Sequence, residues 1–223
     1  MHKLFLNITI TPELYLKNPE STDLGKKIVT QSIFLIHELG FEAFTFKKLS
    51  AKIGSTESTV YRYFENKHML MLYLTCWYWS WVDYRLVFGT HNIVSAKERL
   101  KIAVDIITKP VIEDNSFSHI NEVILHKIIV NESTKVIYTK EIDSENEKGF
   151  YTVYKQIVNR LSDIIIEINP NYEYPQMLVS STIDGALHQR YFLEHFPSLI
   201  NNKKSEHCIS LFYNQLIFNA IKC

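Results

Sequence analysis

The sequence has 223 residues, 46% of them hydrophobic and 22% charged, and its formal net charge at pH 7 is zero. This length can form one large domain or two small ones around a substantial core, and the composition is that of an ordinary globular protein. The balanced charge does not indicate a nucleic-acid partner. The cysteines Cys76, Cys208 and Cys223 have no paired spacing, which favours reduced thiols in a cytoplasm.

The N-terminal segment does not have the pattern of a signal peptide. Its apolar stretch over residues 4–10 is short and broken by polar residues, and no small-residue cleavage site follows it. The most apolar later stretch, residues 69–82, is too short to span a bilayer. We therefore expect a cytoplasmic protein with no membrane partner.

Helical patterns begin after an N-terminal extension formed by residues 1–18. Within it, Thr11-Pro12-Glu13 is a helix-start pattern that predicts a short turn of helix over residues 12–17. A similar start at Asn18-Pro19-Glu20 predicts a long helix from residue 19 to about residue 39, ended by Gly40. We expect the extension to pack on the domain that follows.

A helix-turn-helix is predicted between residues 45 and 70. Thr45 can cap a short amphipathic helix, and Gly54 suits the left-handed conformation that ends it. Ser55 and Thr56 offer hydroxyl caps for a second helix, in which Val60 and Phe64 repeat at a spacing of four. The opposite side of that helix carries polar and aromatic groups: Glu57, Ser58, Thr59, Tyr61, Arg62 and Tyr63. Such a face is typical of a helix that lies in a DNA groove.

Residues 55–70, STESTVYRYFENKHML, resemble the DNA-binding signature of the TetR/AcrR family. That signature is Ser-x-x-x-x-Leu/Val-Tyr-x-Tyr/His-Phe-x-Ser/Asn-Lys-x-x-Leu, and with the preceding helix the resemblance covers about residues 22–70. It implies an all-α protein. An N-terminal three-helix helix-turn-helix DNA-binding domain, residues 19–68, is expected before a larger helical ligand-binding and dimerisation domain, residues 69–223.

The resemblance and the chemistry of the side chains together predict the DNA contacts. The predicted set is Thr45, Ser55, Thr56, Glu57, Ser58, Thr59, Tyr61, Arg62, Tyr63 and Lys67. The family match implies phosphate contacts for Thr45, Thr56, Tyr61, Tyr63 and Lys67. Ser58, Thr59 and Arg62 are the candidates for base reading, because arginine can bind guanine O6 and N7 together and threonine methyls can meet thymine methyls.

Two residues depart from the family pattern. Glu57 stands where the family often has a small or basic residue, and its carboxylate would repel phosphates unless it caps the helix or accepts from cytosine. Helix capping is the interpretation that the sequence favours. Ser58 replaces a frequent glycine, which restricts how closely the backbone approaches DNA. The local charge helps only slightly, since residues 22–68 contain seven cations and five anions.

Helical periodicity continues to the end of the chain. Asn66 can cap a fourth helix that continues to about Trp81. Later helices are predicted over residues 96–108, 119–131, 150–168, 175–196 and 204–221, with Pro110, the polar residues 113–116 and the charged stretch 139–148 between them. No glycine-rich loop or repeat is present.

The resemblance implies a homodimer and a small ligand. In that family the last two long helices pair with their copies across a two-fold axis, so the operator is expected to be an approximate inverted repeat of double-stranded DNA. A pocket in the larger domain would be mainly apolar with a few polar groups. The candidate lining residues, each of which also suits the core, are Trp77, Trp81, His126, Tyr154, Asp184 and His188.

A metal site is the less favoured interpretation of the histidines. Asp184, His188 and His195 share a helix face at spacings of four and seven, as metal ligands can, but no cysteine or second acid accompanies them. We therefore expect no metal, no cofactor and no enzymatic activity. The first hypothesis is a transcriptional repressor released from its operator by a ligand. The alternatives are a helical metal- or small-molecule-processing enzyme and a helix-turn-helix interaction module that does not bind DNA.

Overall fold

The structure, a computed structural model, describes residues 8, 10–113, 119–201 and 207–222. The α-helices of these residues are α1 (Asp23–Leu39), α2 (Phe46–Ile53), α3 (Glu57–Tyr61), α4 (Lys67–Thr90), α5 (Ala96–Thr108), α6 (Glu122–Glu132), α7 (Thr134–Ile137), α8 (Ile142–Glu147), α9 (Thr152–Ile168), α10 (Pro175–His195) and α11 (Cys208–Ala220). No strand occurs among them. The predicted all-α fold is confirmed.

The first long helix begins later than the sequence predicts. Pro19–Ser21 forms a separate 3-10 turn, and a second such turn covers Pro12–Leu14 in the extension. The chain is extended at Thr22, whose side chain accepts a hydrogen bond from the backbone N–H of Gly25. Helix α1 therefore starts at Asp23, because Thr22 and not Asn18 is its N-cap.

The helix-turn-helix follows the predicted capping pattern with one exception. Thr45 Oγ1 accepts from the Lys48 N–H at 3.2 Å and caps α2. Gly54 takes the left-handed conformation with φ 70° and ψ 41°, and Ser55 N–H donates to the Ser50 carbonyl across it. The exception is Thr56, which is the N-cap residue of α3 but makes no side-chain bond to the helix backbone.

The later helices lie close to their predicted positions. Asn66 Oδ1 accepts from the Met69 N–H at 2.9 Å and starts α4, and α5 covers the predicted residues. Asn121 caps α6 through the Ile124 N–H, so α6 starts three residues after its predicted start. The predicted start of the last helix at residue 204, and residues 114–116 of the predicted polar link, lie outside the described residues.

The chain forms two compact units, and α4 contributes to both. The first unit contains Met1–Ser80 and Val111–Thr152; the second contains Trp81–Pro110 and Val153–Cys223. These units do not coincide with the division at residues 18 and 68, which stays a prediction about function. In the first unit α1 packs against α2 and α6, around fully buried side chains such as Phe44, Phe64 and Trp77.

In the second unit α5, α10 and α11 pack against one another. The closest approach is at Gly185 of α10, where an added Cβ would lie 2.1 Å from the hydroxyl oxygen of Tyr213 in α11. Asp105 of α5 accepts hydrogen bonds from Ser210 and Asn214 of α11. A larger residue at position 185 would therefore displace the hydroxyl of Tyr213.

Two features are absent from the residues that the structure describes. None of their helices has both the length and the apolar character needed to cross a membrane. Within the same residues no group of three or more histidine, cysteine, aspartate or glutamate side chains is arranged to hold a metal ion.

Candidate DNA-binding site

The helix predicted to lie in the DNA groove is α3, which we call the reading helix, and it presents a polar, solvent-exposed face. The predicted contact residues with exposed side chains are Thr45, Thr56, Glu57, Ser58, Tyr61 and Arg62. Beneath them Val60 and Phe64 are fully buried, as their spacing predicts. The side chains on this face are therefore free to meet another molecule while the helix keeps its apolar contacts with the rest of the unit.

A chain of hydroxyl groups runs along the reading helix and ends at Arg62. Thr56 Oγ1 lies 2.8 Å from Ser58 Oγ and 3.0 Å from Thr59 Oγ1, and Arg62 Nη2 donates to Thr59 Oγ1 at 3.4 Å. Thr59 itself is buried. Base reading by Thr59 stays a prediction; in the structure its hydroxyl accepts from Arg62 and is placed to orient the guanidinium, which keeps its other donors.

The two predicted tyrosine contacts have different environments. The ring of Tyr61 is 48% exposed and packs edge-on against Phe46, with ring centroids 4.9 Å apart. Tyr63 is only 3% exposed, and its hydroxyl oxygen lies 2.8 Å from Thr22 Oγ1. The exposure of Tyr61 suits the predicted contact, while Tyr63 is bonded inside the protein and supports the start of α1; both DNA contacts stay predictions.

The ammonium group of Lys67 is held by the protein. Its Nζ donates to the carbonyl oxygens of Phe41 at 3.0 Å and Glu42 at 3.1 Å, and it lies 4.7 Å from the centre of the Phe41 ring. This lysine therefore stabilises the connection between α1 and α2. A phosphate at this position would be met by the free backbone N–H groups in the first turn of α4 and by the positive end of its dipole.

Two lysines of α2 were not in the predicted contact set. Lys47 and Lys52 are exposed, and their side chains have no hydrogen bond or ion pair with the described part of the chain. In contrast, Lys48 Nζ donates to the Ala43 carbonyl and Lys27 Nζ to that of Ile53. The sequence could have predicted that both lysines are exposed, because positions 47 and 52 lie outside the apolar stripe of α2.

The carboxylate of Glu20, just before α1, bonds to Tyr73 of α4 and to His119, which precedes α6. Glu20 Oε1 accepts from the Tyr73 hydroxyl at 3.1 Å and lies 2.9 Å from His119 Nε2. Burial by itself raises the pKa of Glu20, but the hydrogen bonds from His119 and Tyr73 outweigh it, and the pKa is lower than usual. The pair with His119 becomes a salt bridge when the imidazole is protonated.

A second carboxylate of the same kind lies at the start of α4. Glu145 of α8 is buried; its Oε1 lies 2.6 Å from His68 Nε2 and its Oε2 accepts from the Tyr151 hydroxyl at 2.7 Å. Burial raises the pKa of Tyr151, and the bonded carboxylate raises it further. Glutamate, histidine and tyrosine thus form the same arrangement at two places in the first unit.

A third carboxylate holds the connection after α1. Glu132 of α6 accepts from the Phe41 N–H at 3.1 Å and pairs with Lys135 at 2.7 Å. The hydrogen bond that Lys135 donates to Glu132 is the main reason that the pKa of Lys135 is raised, and Glu42 lies 3.6 Å from the same ammonium group. Helices α6–α8, assigned by the sequence to the larger domain, are therefore bonded directly to the helix-turn-helix.

Two hydrogen-bonded pairs contain predicted ligand-binding residues, and two further predicted residues are buried tryptophans. In the first unit the Tyr78 hydroxyl lies 2.8 Å from His126 Nδ1 with the two rings stacked. In the second unit Tyr154 donates to Asp184 at 3.3 Å, and burial raises the pKa of Asp184. Trp77 and Trp81 are fully buried core residues, and His188 is exposed. Their role in ligand binding stays a prediction.

A small cavity of about 200 Å³ lies in the second unit between the end of α10 and the start of α11. Its lining includes Gln189, Ile200, Cys208 and Phe212, and none of the predicted ligand residues. Typical pockets for small molecules have about 300–1,000 Å³, so this cavity is too small to account for a ligand site as it stands.

The fold and the exposed polar face define an all-helical, helix-turn-helix DNA-binding protein. Residues 28–74 match the family model described as bacterial regulatory proteins, tetR family. The match covers the helix-turn-helix and shows that this part of the chain resembles the N-terminal domain of that family, as the signature at residues 55–70 predicted. No protein with curated annotation matches the sequence.

Several solved structures have the same fold over most of the chain. A TetR-family transcription regulator from Shewanella sp. PV-4, described as putative, is 15% identical with a TM-score of 0.61 over 87% of this chain and 97% of its own. AibR, solved in complex with isovaleryl coenzyme A and operator DNA, is 16% identical with a TM-score of 0.59 over 86% and 98%. The fatty acid degradation regulator FadR from Bacillus halodurans is 14% identical with a TM-score of 0.55 over 86% and 92%.

Proposed function

We propose that the protein is a homodimeric repressor that binds an approximate inverted-repeat operator and leaves it when a small ligand binds the larger domain. The observation that carries the proposal is the exposed face of α3, on which Glu57, Ser58 and Arg62 point away from a buried apolar side. Surface helices in general expose polar residues, so the position of this face directly after the turn of the helix-turn-helix is what distinguishes it. This face is polar, exposed and next to a turn, as in helices that enter a major groove.

Unpaired cations beside this face support an interaction with phosphates. Lys47 and Lys52 of α2 are exposed, and their charges are not neutralised by the described residues. With a net charge of zero for the whole chain, the affinity must come from such local charges and from the presence of two heads. We therefore expect DNA binding that weakens steeply as the salt concentration rises.

Exposed apolar residues on the last helix support the dimer. Leu211, Phe212 and Leu216 of α11 and Met177 of α10 are all exposed in the single chain. Large apolar side chains that are exposed in a single chain are covered where they lie in a protein interface. Pairing of α10 and α11 with their copies would cover them and would present two reading heads to successive half-sites.

The ligand is proposed to control DNA binding through α6–α8, the helices that are bonded to the helix-turn-helix. Glu20–His119, Glu132–Phe41 and Glu145–His68 join the region of α6–α8 to both ends of the helix-turn-helix. A ligand that shifted α6 would therefore disturb contacts of α1 and α4. The coupling is reciprocal, so operator DNA should weaken ligand affinity by the factor by which ligand weakens DNA affinity. AibR, solved in complex with isovaleryl coenzyme A and operator DNA, is a protein of similar fold that binds both kinds of molecule.

The proposal describes a regulator without catalytic activity that acts in the cytoplasm, where its DNA lies. TetR-family regulators are generally non-enzymatic, and this supports the first statement. The cytoplasmic location follows from DNA binding.

The test is fluorescence anisotropy of the purified full-length protein with labelled DNA from the region upstream of its own coding sequence and with a scrambled duplex, at several salt concentrations. Tighter, salt-sensitive binding to the upstream duplex is expected. Arg62→Ala should weaken that binding by roughly five- to hundredfold, since a bidentate arginine–guanine contact contributes about 1–3 kcal/mol.

A matched control variant removes a lysine that lies outside the helix-turn-helix. Lys97 is exposed at the start of α5, and Lys97→Ala should leave the affinity unchanged. If the upstream duplex fails, the same assay is repeated with duplexes selected from a random library. Failure to select any sequence, even at low salt, would contradict the proposal and favour the interaction module that does not bind DNA.

A further inference from the structure

The carboxylate of Glu57 is not used by the fold. Glu57 is the first residue of α3 and is exposed. Its side chain has no hydrogen bond or ion pair with any of the described residues. A glutamate that closes a capping box stands three residues into the helix, from where it reaches back to the N-cap N–H. Glu57 is at the wrong position for this, so the capping interpretation favoured by the sequence lacks its contact.

A free carboxylate on this face opposes DNA binding unless it finds a donor. Two unit charges 4 Å apart repel by about 1 kcal/mol even in bulk water, and the repulsion grows as water is excluded between the helix and a phosphate. The neighbouring side chains do not neutralise it: the hydroxyls of Ser58 and Thr56 bond to each other, and Arg62 is directed to Thr59. The donor must come from the DNA.

The edges of the bases in the major groove offer two kinds of donor, the N6 amino group of adenine and the N4 amino group of cytosine. Adenine presents its N7 acceptor beside N6, which suits an amide such as asparagine or glutamine. Cytosine presents a donor without a second acceptor on its own edge, and this suits a carboxylate. The chemistry therefore favours cytosine.

We propose that Glu57 accepts a hydrogen bond from the N4 amino group of one cytosine in each operator half-site and thereby selects a C·G pair there. The inference rests on the proposed function, since it concerns the bases that the same face reads. It also assigns a different base to each of two side chains of α3. Arg62 supplies the donors for a guanine, Glu57 supplies the acceptor for a cytosine, and the hydroxyl chain between them holds Arg62 in place.

The experiment selects binding sites from a randomised duplex library with four full-length proteins: the wild type, Glu57→Gln, Glu57→Ala and the control Glu65→Ala, which removes an exposed carboxylate outside the predicted contact set. The wild type should enrich a C·G pair at one position that recurs symmetrically in both half-sites. Glu57→Gln should move the preference at that position toward adenine, because glutamine matches N6 and N7. Glu57→Ala should lose the preference there and keep it elsewhere, and Glu65→Ala should keep the cytosine.

Affinities measured by anisotropy then quantify the contact. Replacing the selected C·G pair with T·A should weaken wild-type binding roughly ten- to hundredfold and weaken Glu57→Ala binding by less than about threefold. Glu57→Ala should also bind a scrambled duplex more tightly than the wild type does, because a charge that repels phosphates has been removed. Since Glu57 is exposed, thermal melts of all four proteins should coincide.

The two possible failures are distinct. If the wild type selects a site and Glu57→Ala selects the same base at every position with equal preference, the cytosine contact is refuted and the regulator proposal stands. If the wild type selects no sequence, both are refuted.

Discussion

Tyr61 and Tyr63 are separated by one residue, yet only one of them has its hydroxyl bonded inside the protein. Tyr63 is buried with its hydroxyl 2.8 Å from Thr22 Oγ1, while Tyr61 is half exposed. Tyr63→Phe should lower the free energy of unfolding by about 0.5–1.5 kcal/mol, the net contribution of one hydrogen bond. Tyr61→Phe should change it by less than about 0.5 kcal/mol. Urea denaturation of the two variants and the wild type measures both.

For these two residues the expected effects on DNA affinity are the reverse of the expected effects on stability. Tyr61→Phe should weaken binding to a selected duplex, whereas Tyr63→Phe should not when both are measured well below the unfolding midpoint. A loss of affinity in Tyr63→Phe without a loss of stability would contradict the supporting role that we assign to it.

These residues also show where the sequence was sufficient and where it was not. The motif located the reading helix, and the caps at Thr45, Gly54 and Asn66 defined its neighbours, because capping depends on residues close together in the chain. The orientation of Tyr63 and Lys67 depends on Thr22 and on the carbonyls of residues 41 and 42. Those partners are more than twenty residues away, and no local pattern reports them.

At the scale of the helices, the sharpest constraint is the approach of α10 to α11 at Gly185. A Cβ there would lie 2.1 Å from the Tyr213 hydroxyl oxygen and 3.1 Å from the ring carbon that carries it. Tyr213 is buried and its ring has little freedom to move. Gly185→Ala should therefore lower the free energy of unfolding by about 1–3 kcal/mol, the usual cost of overpacking, even though alanine favours a helix.

Removing the hydroxyl should relieve this clash. In a Tyr213→Phe background Gly185→Ala should cost less than in the wild type, because the nearest obstructing atom is gone. Urea denaturation of the four proteins gives the coupling energy in a double-mutant cycle. An equal cost of Gly185→Ala in both backgrounds would show that another contact limits the approach.

The helix pattern could predict α10 and α11 but not the division of the molecule. The bonds of Glu20, Glu132 and Glu145 join residues that are roughly eighty to one hundred positions apart. Each of these glutamates would pass for a solvated charge in the sequence, since a lone glutamate on a helix is usually exposed. Their burial, and the inclusion of residues 111–152 in the first unit, arise from tertiary packing alone.

At the scale of the whole molecule, the Glu20 cluster gives stability a defined dependence on pH. The pKa of Glu20 is lower in the folded protein than its ordinary value. Its carboxylate therefore stabilises the fold above the ordinary glutamate pKa of about 4.3, and this stabilisation is lost as the pH falls through the folded-state value. Glu20→Gln should unfold more easily at pH 7 and lose less stability between pH 5 and pH 3 than the wild type does.

Urea denaturation at pH 7, 5, 4 and 3 measures the effect, and Glu13→Gln is the control. Glu13 is an exposed glutamate in the extension, and its replacement should leave the pH profile unchanged. Parallel profiles for Glu20→Gln and the wild type would mean that the cluster with His119 and Tyr73 does not stabilise the charged carboxylate.

The proposed dimer should determine the DNA affinity of the whole molecule, because it brings two reading heads to one operator. Leu211 on α11 is 64% exposed in the single chain and Val94, before α5, is 93% exposed. Leu211→Glu should convert the dimer into monomers in sedimentation analysis, since a charge buried at an apolar interface costs several kcal/mol, and should abolish tight operator binding because each head then binds alone. Val94→Glu adds the same charge outside α10 and α11 and should remain dimeric. If Leu211→Glu stays dimeric with unchanged DNA affinity, the exposed face of α11 is not the interface, and the two heads must be joined through another surface.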